Sequence, residues 1–160
     1  MPEIEIREDL FAPAREIPIK YMGKNTIWIL ANAMKMLQNT LKVSAVNLRE
    51  DVVKWDMMSD PPAFYGEWRG LRQEDQWTKT LLKIRAQGKH GKDGGEVTVW
   101  LRGFIMTTYS YSNPASLLLW RLYNHSFYHK QRRAYLENSK SDLLSIRDQI
   151  RGAYGILQEV

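Results

Sequence analysis

The chain has no cysteine among its 160 residues. That excludes a disulfide framework, a thiolate nucleophile and any Cys-ligated zinc or iron–sulfur centre. It has no long apolar run either. The most apolar segment, Thr26 to Leu41, is interrupted by Asn32, Lys35, Gln38 and Asn39 and is shorter than the ~20 residues a membrane span needs. Met1 to Asp9 is acidic and alternating, the reverse of a basic, then apolar, secretory signal, so the cytoplasm is the expected compartment. Charge of one sign is also in short supply. The 23 Lys+Arg against 18 Asp+Glu leave +5, below the density that by itself marks a nucleic-acid binder. Catalytic loops are missing too. Gly88 to Gly95 lacks the Gly-Lys-Ser/Thr ending of a phosphate loop, and there is no Gly-x-Ser-x-Gly elbow.

What is present reads as one α+β domain over residues 1–160, with no repeat, linker or low-complexity tract and enough chain to bury a core. Glu3 to Ile6 alternates with period two and predicts a strand. Arg15 to Lys20 predicts a second, confined to an edge by Pro18, although Leu10 to Met22 carries no clean period. Thr26 is placed to cap a helix whose buried face is Ile27, Leu30, Ala31, Met34, Leu37 and Leu41.

Four strand-like segments follow. In Val43 to Met58 the apolar positions change parity, which predicts a β-bulge near Arg49 to Asp51. Asp60-Pro61-Pro62 turns the chain into Phe64 to Gln73, a strand weakened by Gly66 and Gly70. Trp77 to Gln87 sets Thr78, Thr80, Leu82, Ile84 and Ala86 against Lys79, Lys83 and Arg85, and after a glycine-rich hairpin Val97 to Tyr111 is the longest strand. Asn113-Pro114 starts a helix on which Leu119, Leu122, Tyr123, Phe127 and Ala134 share one face and Arg121, His125, Tyr128 and Arg132 the other. Ser141 is placed to cap its continuation through Leu143, Ile146 and Ile150. The expected architecture is a curved antiparallel β-meander packed on a long C-terminal helix.

Over Val97 to Ile150 this pattern resembles the helix-grip superfamily, the START-domain and polyketide-cyclase-like proteins. The resemblance rests on the long alternating strand, the Tyr-Ser-Tyr-Ser-Asn-Pro break, the helix Leu117-Leu118-Leu119-Trp120-Arg121-Leu122 and its Arg- and Leu-containing continuation to Glu137. It departs from the family in having one long helix, not two short ones, before the meander. A looser similarity, over Val52 to Glu67, is to ubiquitin-conjugating-like domains; without Cys only a non-catalytic variant fits, and their Pro-rich segment after the third strand is absent.

The helix-grip resemblance implies a hydrophobic small molecule or lipid held between sheet and closing helix, with Trp55, Trp100, Ile105, Tyr109, Leu122 and Tyr123 as the expected lining. Apolar residues on both strand faces, Leu81 beside Leu82 and Trp100 beside Leu101, agree that one face meets the helices and the other needs cover. The cover is a ligand, a partner or a second copy in a homodimer. The alternative is a non-enzymatic module whose basic helix face, Arg121, His125, Arg132 and Arg133, holds an anionic partner such as RNA, an acidic protein or anionic lipid. Lys89, His90 and Lys92 add a second basic point. His125 and His129 have the spacing of two metal ligands, but no third ligand accompanies them and neighbouring arginines repel a cation, so no metal or other cofactor is expected. Glu50, Asp51, Asp56 and Glu67 are the carboxylates that could enter a cavity. Nothing in their spacing selects a general acid or base, and no enzyme is expected.

Overall fold

The computed structural model describes residues 2–156. Strict alternation produces the centre of the sheet. In β5 (Thr78–Gly91) and β6 (Gly94–Ser110), every second side chain from Thr78 to Ala86 and from Val97 to Thr107 is turned inward and buried. β4 (Ala63–Gln73) and β3 (Leu48–Asp56) extend the sheet on one side, with the bulge between Glu50 and Val52. On the other side β6 takes two partners end to end: β2 (Ile17–Gly23) beside Gly95 to Leu101, and β1 (Glu3–Asp9) beside Phe104 to Ser110. Pro18 lies in β2, which among the described residues pairs only with β6, an edge position that tolerates a missing N–H. The six antiparallel strands form one curved sheet.

Two helices cover its inner face, α1 (Trp28–Leu41) and the last part of a rod built from α2 (Pro114–Tyr123), a π turn (Asn124–Tyr128) and α3 (His129–Tyr154). Ile29, Ala33 and Leu37 of α1 and Leu143, Ile146 and Ile150 of α3 meet Trp68, Leu82, Ile84, Leu101 and Ile105 of the sheet. All of these are buried to 1 % exposure or less. A cavity wide enough for water would leave exposure on its walls, so this layer is packed core.

Gly66 and Gly70 are gaps with a purpose. The Trp68 indole folds over Gly66, where a Cβ would lie 2.2 Å from it, and α1 crosses so near Gly70 that a Cβ would lie 2.6 Å from Leu41.

Several expectations need correction. Residues 43–47 are not strand; Ala45–Asn47 is a 3-10 turn. Thr26 caps nothing: its buried hydroxyl donates to the Lys89 carbonyl (3.1 Å), and Tyr154 hydroxyl donates to the Thr26 carbonyl (2.8 Å). The inner face of α1 is carried by Ile29, Ala33, Met36, Leu37 and Leu41, leaving Ala31 exposed, and the helix starts at Trp28, one residue later than a Thr26 cap requires. Ser141 lies exposed within α3, which runs through it without a break.

Candidate functional site

The rod reaches beyond the core at its N-terminal end, and there its side chains invert. Asn113 makes a capping box with Ser116, accepting from the Ser116 N–H at 2.8 Å, so the helix starts sharply at Pro114. Trp120 stacks on Tyr109 (centroids 4.8 Å apart, planes 17°) and is buried. Tyr128 meets Trp77 edge-on at 5.1 Å. The separation of eight positions from Trp120 to Tyr128 would carry them about 80° apart on a regular α-helix. The wider π turn removes rotation and points both rings at the sheet.

Tyr128 is then locked by a polar chain. Its hydroxyl donates to Asp75 Oδ2 at 2.7 Å and lies 2.6 Å from Thr78 Oγ1, which lies 2.8 Å from Thr107 Oγ1. A hydroxyl has one proton, so Thr107 donates to Thr78 and Thr78 to Tyr128. Burial, with the nearby Asp75 carboxylate, pushes the Tyr128 phenol well above its ordinary value. Burial also pushes Asp75 up, but the Tyr128 hydroxyl and the N–H groups of Trp77 and Thr78 outweigh it and hold the carboxyl below its ordinary value.

With Trp120, Tyr128 and Arg132 turned inward, Leu118, Leu119, Leu122, Tyr123 and Phe127 face solvent at 44 to 68 % exposure. Of the face expected to be basic, Tyr128 and Arg132 are buried while Arg121 and His125 stay exposed, and the apolar face is on the outside. Exposed basic side chains flank it: Arg121 in α2, His125 in the π turn, and Lys130 and Arg133 after it. The chain has no carboxylate between Glu96 and Glu137. Acid-free sequence was a readable signal for this surface; which face is outward depends on the π turn, which periodicity does not reveal.

The six expected lining residues are scattered. Ile105 is in the core, and Tyr109 lies under Trp120. Trp100 is on the opposite, uncovered sheet face beneath the Arg85 guanidinium at 4.3 Å. Trp55 is exposed beside Phe64, 5.7 Å between rings. Leu122 and Tyr123 are on the outward face of α2. Of the four expected anion-binding residues, Arg121, His125 and Arg133 are exposed, whereas Arg132 is buried and pairs with Glu8 at 3.0 Å. His90 at the second basic point is engaged with Thr26 at 3.2 Å.

The four carboxylates singled out above have structural partners. Glu50 accepts from Trp68 Nε1 at 2.9 Å, Asp51 pairs with Arg49 and Arg69, and Glu67 accepts from the Tyr65 hydroxyl. Asp56 accepts from Ser59, which holds its carboxyl below the ordinary value. Among the described residues no group of three or more His, Asp or Glu is arranged to hold a metal, and no helix is long and apolar enough to cross a membrane.

No family model and no curated protein matches the chain. Among solved structures, matches include an uncharacterized protein from Rhizobium leguminosarum (8 % identity, 89 % of this chain and 99 % of that one, TM-score 0.22). Others are a protein of unknown function from Staphylococcus aureus (8 %, 92 % and 97 %, 0.26) and Ara h 8.0201 (5 %, 81 % and 97 %, 0.20).

Proposed function

We propose that the protein binds lipid at a surface, docking the outward face of α2 and the π turn onto an anionic bilayer. The observation that carries this reading is the set of five large apolar side chains facing solvent on a helical stretch whose own charged side chains are all positive. Such a helix lies in the plane of the interface with its apolar face among the acyl chains. Arg121, Lys130 and Arg133 add about 1 kcal/mol each near an anionic surface. The same charges oppose self-association, since a two-fold dimer built on this face brings like charges together. Lipid in an internal cavity has less support, because the layer between sheet and α3 is filled.

Co-sedimentation with phosphatidylcholine vesicles, with and without phosphatidylglycerol, tests the proposal. Binding is expected only to the anionic vesicles, weakened by salt and abolished by Leu119→Asp, an exposed position whose change leaves the fold intact. Absence of binding to anionic vesicles overturns it. So does a stable micromolar dimer that Leu119→Asp dissociates, which assigns the face to a second copy.

A further inference from the structure

Among the described residues the sheet face away from the helices carries no covering element, and its cross-strand register places cations side by side. Arg49 is opposite Arg69, Arg69 opposite Lys83, and Lys83 opposite Arg102, a single row across β3, β4, β5 and β6. At the ordinary strand spacing this row is about 14 Å long. Like charges directly opposite one another destabilise a sheet. Relief is partial: Asp51, displaced by the bulge, is 3.4 Å from Arg49 and 3.3 Å from Arg69, and Asp9 is 3.7 Å from Arg102. Lys83 has no ion pair among the described residues.

The neighbouring row is apolar. Leu71 is opposite Leu81 and Leu81 opposite Phe104, and beyond it Met106 lies between Arg7 and Lys79. The turn before β3 presents Val46 at the edge. Together they line a groove of about 540 Å³ holding five cations, Arg7, Arg49, Arg69, Lys79 and Lys83, and no carboxylate. That volume is within the range of small-molecule sites.

We infer that this groove binds an anionic amphiphile: one aliphatic chain along the Leu71–Leu81–Met106 floor, with a carboxylate or phosphate head on the cation row. A nucleic-acid strand fits less well. Of the aromatic rings on this face, Phe104 and Trp100 are already capped by the guanidinium groups of Arg7 (3.7 Å) and Arg85 (4.3 Å), and Tyr65 lies outside the groove with its hydroxyl on Glu67, so the groove itself offers no ring free for base stacking. A second copy fits poorly too, because pairing the groove with itself adds cations to cations.

Calorimetric titration of the full chain below micelle concentrations tests the inference, using dodecyl phosphate, dodecanoate, neutral dodecyl maltoside and inorganic phosphate. Binding of at least one of the two anionic amphiphiles is expected, with neither maltoside nor phosphate binding. Which anion binds more tightly distinguishes a phosphorylated lipid from a free fatty acid. Lys83→Glu weakens binding about tenfold or more, and Lys83→Gln serves if the charge reversal fails to fold. Leu119→Asp leaves the affinity unchanged, which separates this site from the bilayer-facing helix. Equal binding of maltoside, equal binding of phosphate alone, or tighter binding of an oligouridylate with steep salt dependence each overturns the inference.

Discussion

The two ends of the C-terminal rod are built from similar residues and used in opposite ways. In α3, Leu143, Ile146 and Ile150 recur at helical spacing and all disappear into the sheet. In α2, Leu118, Leu119 and Leu122 recur at similar spacing and all remain in solvent. The difference is in what lies opposite. α3 faces a broad concave sheet and α1. α2 faces only the end of the sheet, where two aromatic anchors, Trp120 and Tyr128, suffice to attach it. Apolar periodicity therefore specifies a face but not its occupant. The hydrophobic effect is satisfied by any cover that excludes water.

Three measurements sharpen the contrast. Ile146→Ala removes a fully buried side chain and is expected to cost about 2–5 kcal/mol, read as a lower denaturation midpoint with the same slope. A smaller cost would mean that the α3 layer is less tightly packed than its zero exposure implies. Tyr128→Phe strips one hydroxyl from the Thr107–Thr78–Tyr128–Asp75 chain and is expected to cost about 1–3 kcal/mol. The same variant has a pH signature. Asp75 is held below its ordinary value, so its contribution is complete above pH ~4 and is lost as pH falls through the lower folded value. Removing one donor raises that folded value, so the variant loses less stability on acidification below pH ~4 than the parent does. A parallel acid profile would sink this account. Leu122→Ala, in contrast, is expected to move stability by no more than about 0.5 kcal/mol, because the side chain is largely exposed already. A cost like that of Ile146→Ala would show that α2 has a cover in solution.

Much of the sheet was legible. Period-two alternation located β5 and β6, the Asp60-Pro61-Pro62 turn introduced β4, the parity change put the bulge near Arg49 to Asp51, and Asn113-Pro114 marked the helix start. What sequence could not supply was rotation and register. A π turn moves Tyr128 from the expected outer face to the inner one, and α1 buries Ile29, Ala33 and Met36 while the expected Ala31 is exposed. The cation row is the clearest case. Lys83 was visible as an outward residue, but its neighbours Arg69 and Arg102 are fourteen and nineteen positions away and meet it only through strand pairing. Arg132 shows the same limit in reverse: its identity reads as an exposed ligand for anions, and its place is buried, paired with an exposed Glu8.

The shared edge of β6 has a consequence for the order in which the molecule is made. Glu3 pairs with Ser110 and Ile17 with Leu101, so the first two strands have no hydrogen-bonding partner until β6 has left the ribosome. Contacts so distant along the chain close slowly. During translation the β3–β4–β5 meander can zip up from hairpin to hairpin, while β1 and β2 are idle. These two strands precede the meander in the chain and are among the last to be seated.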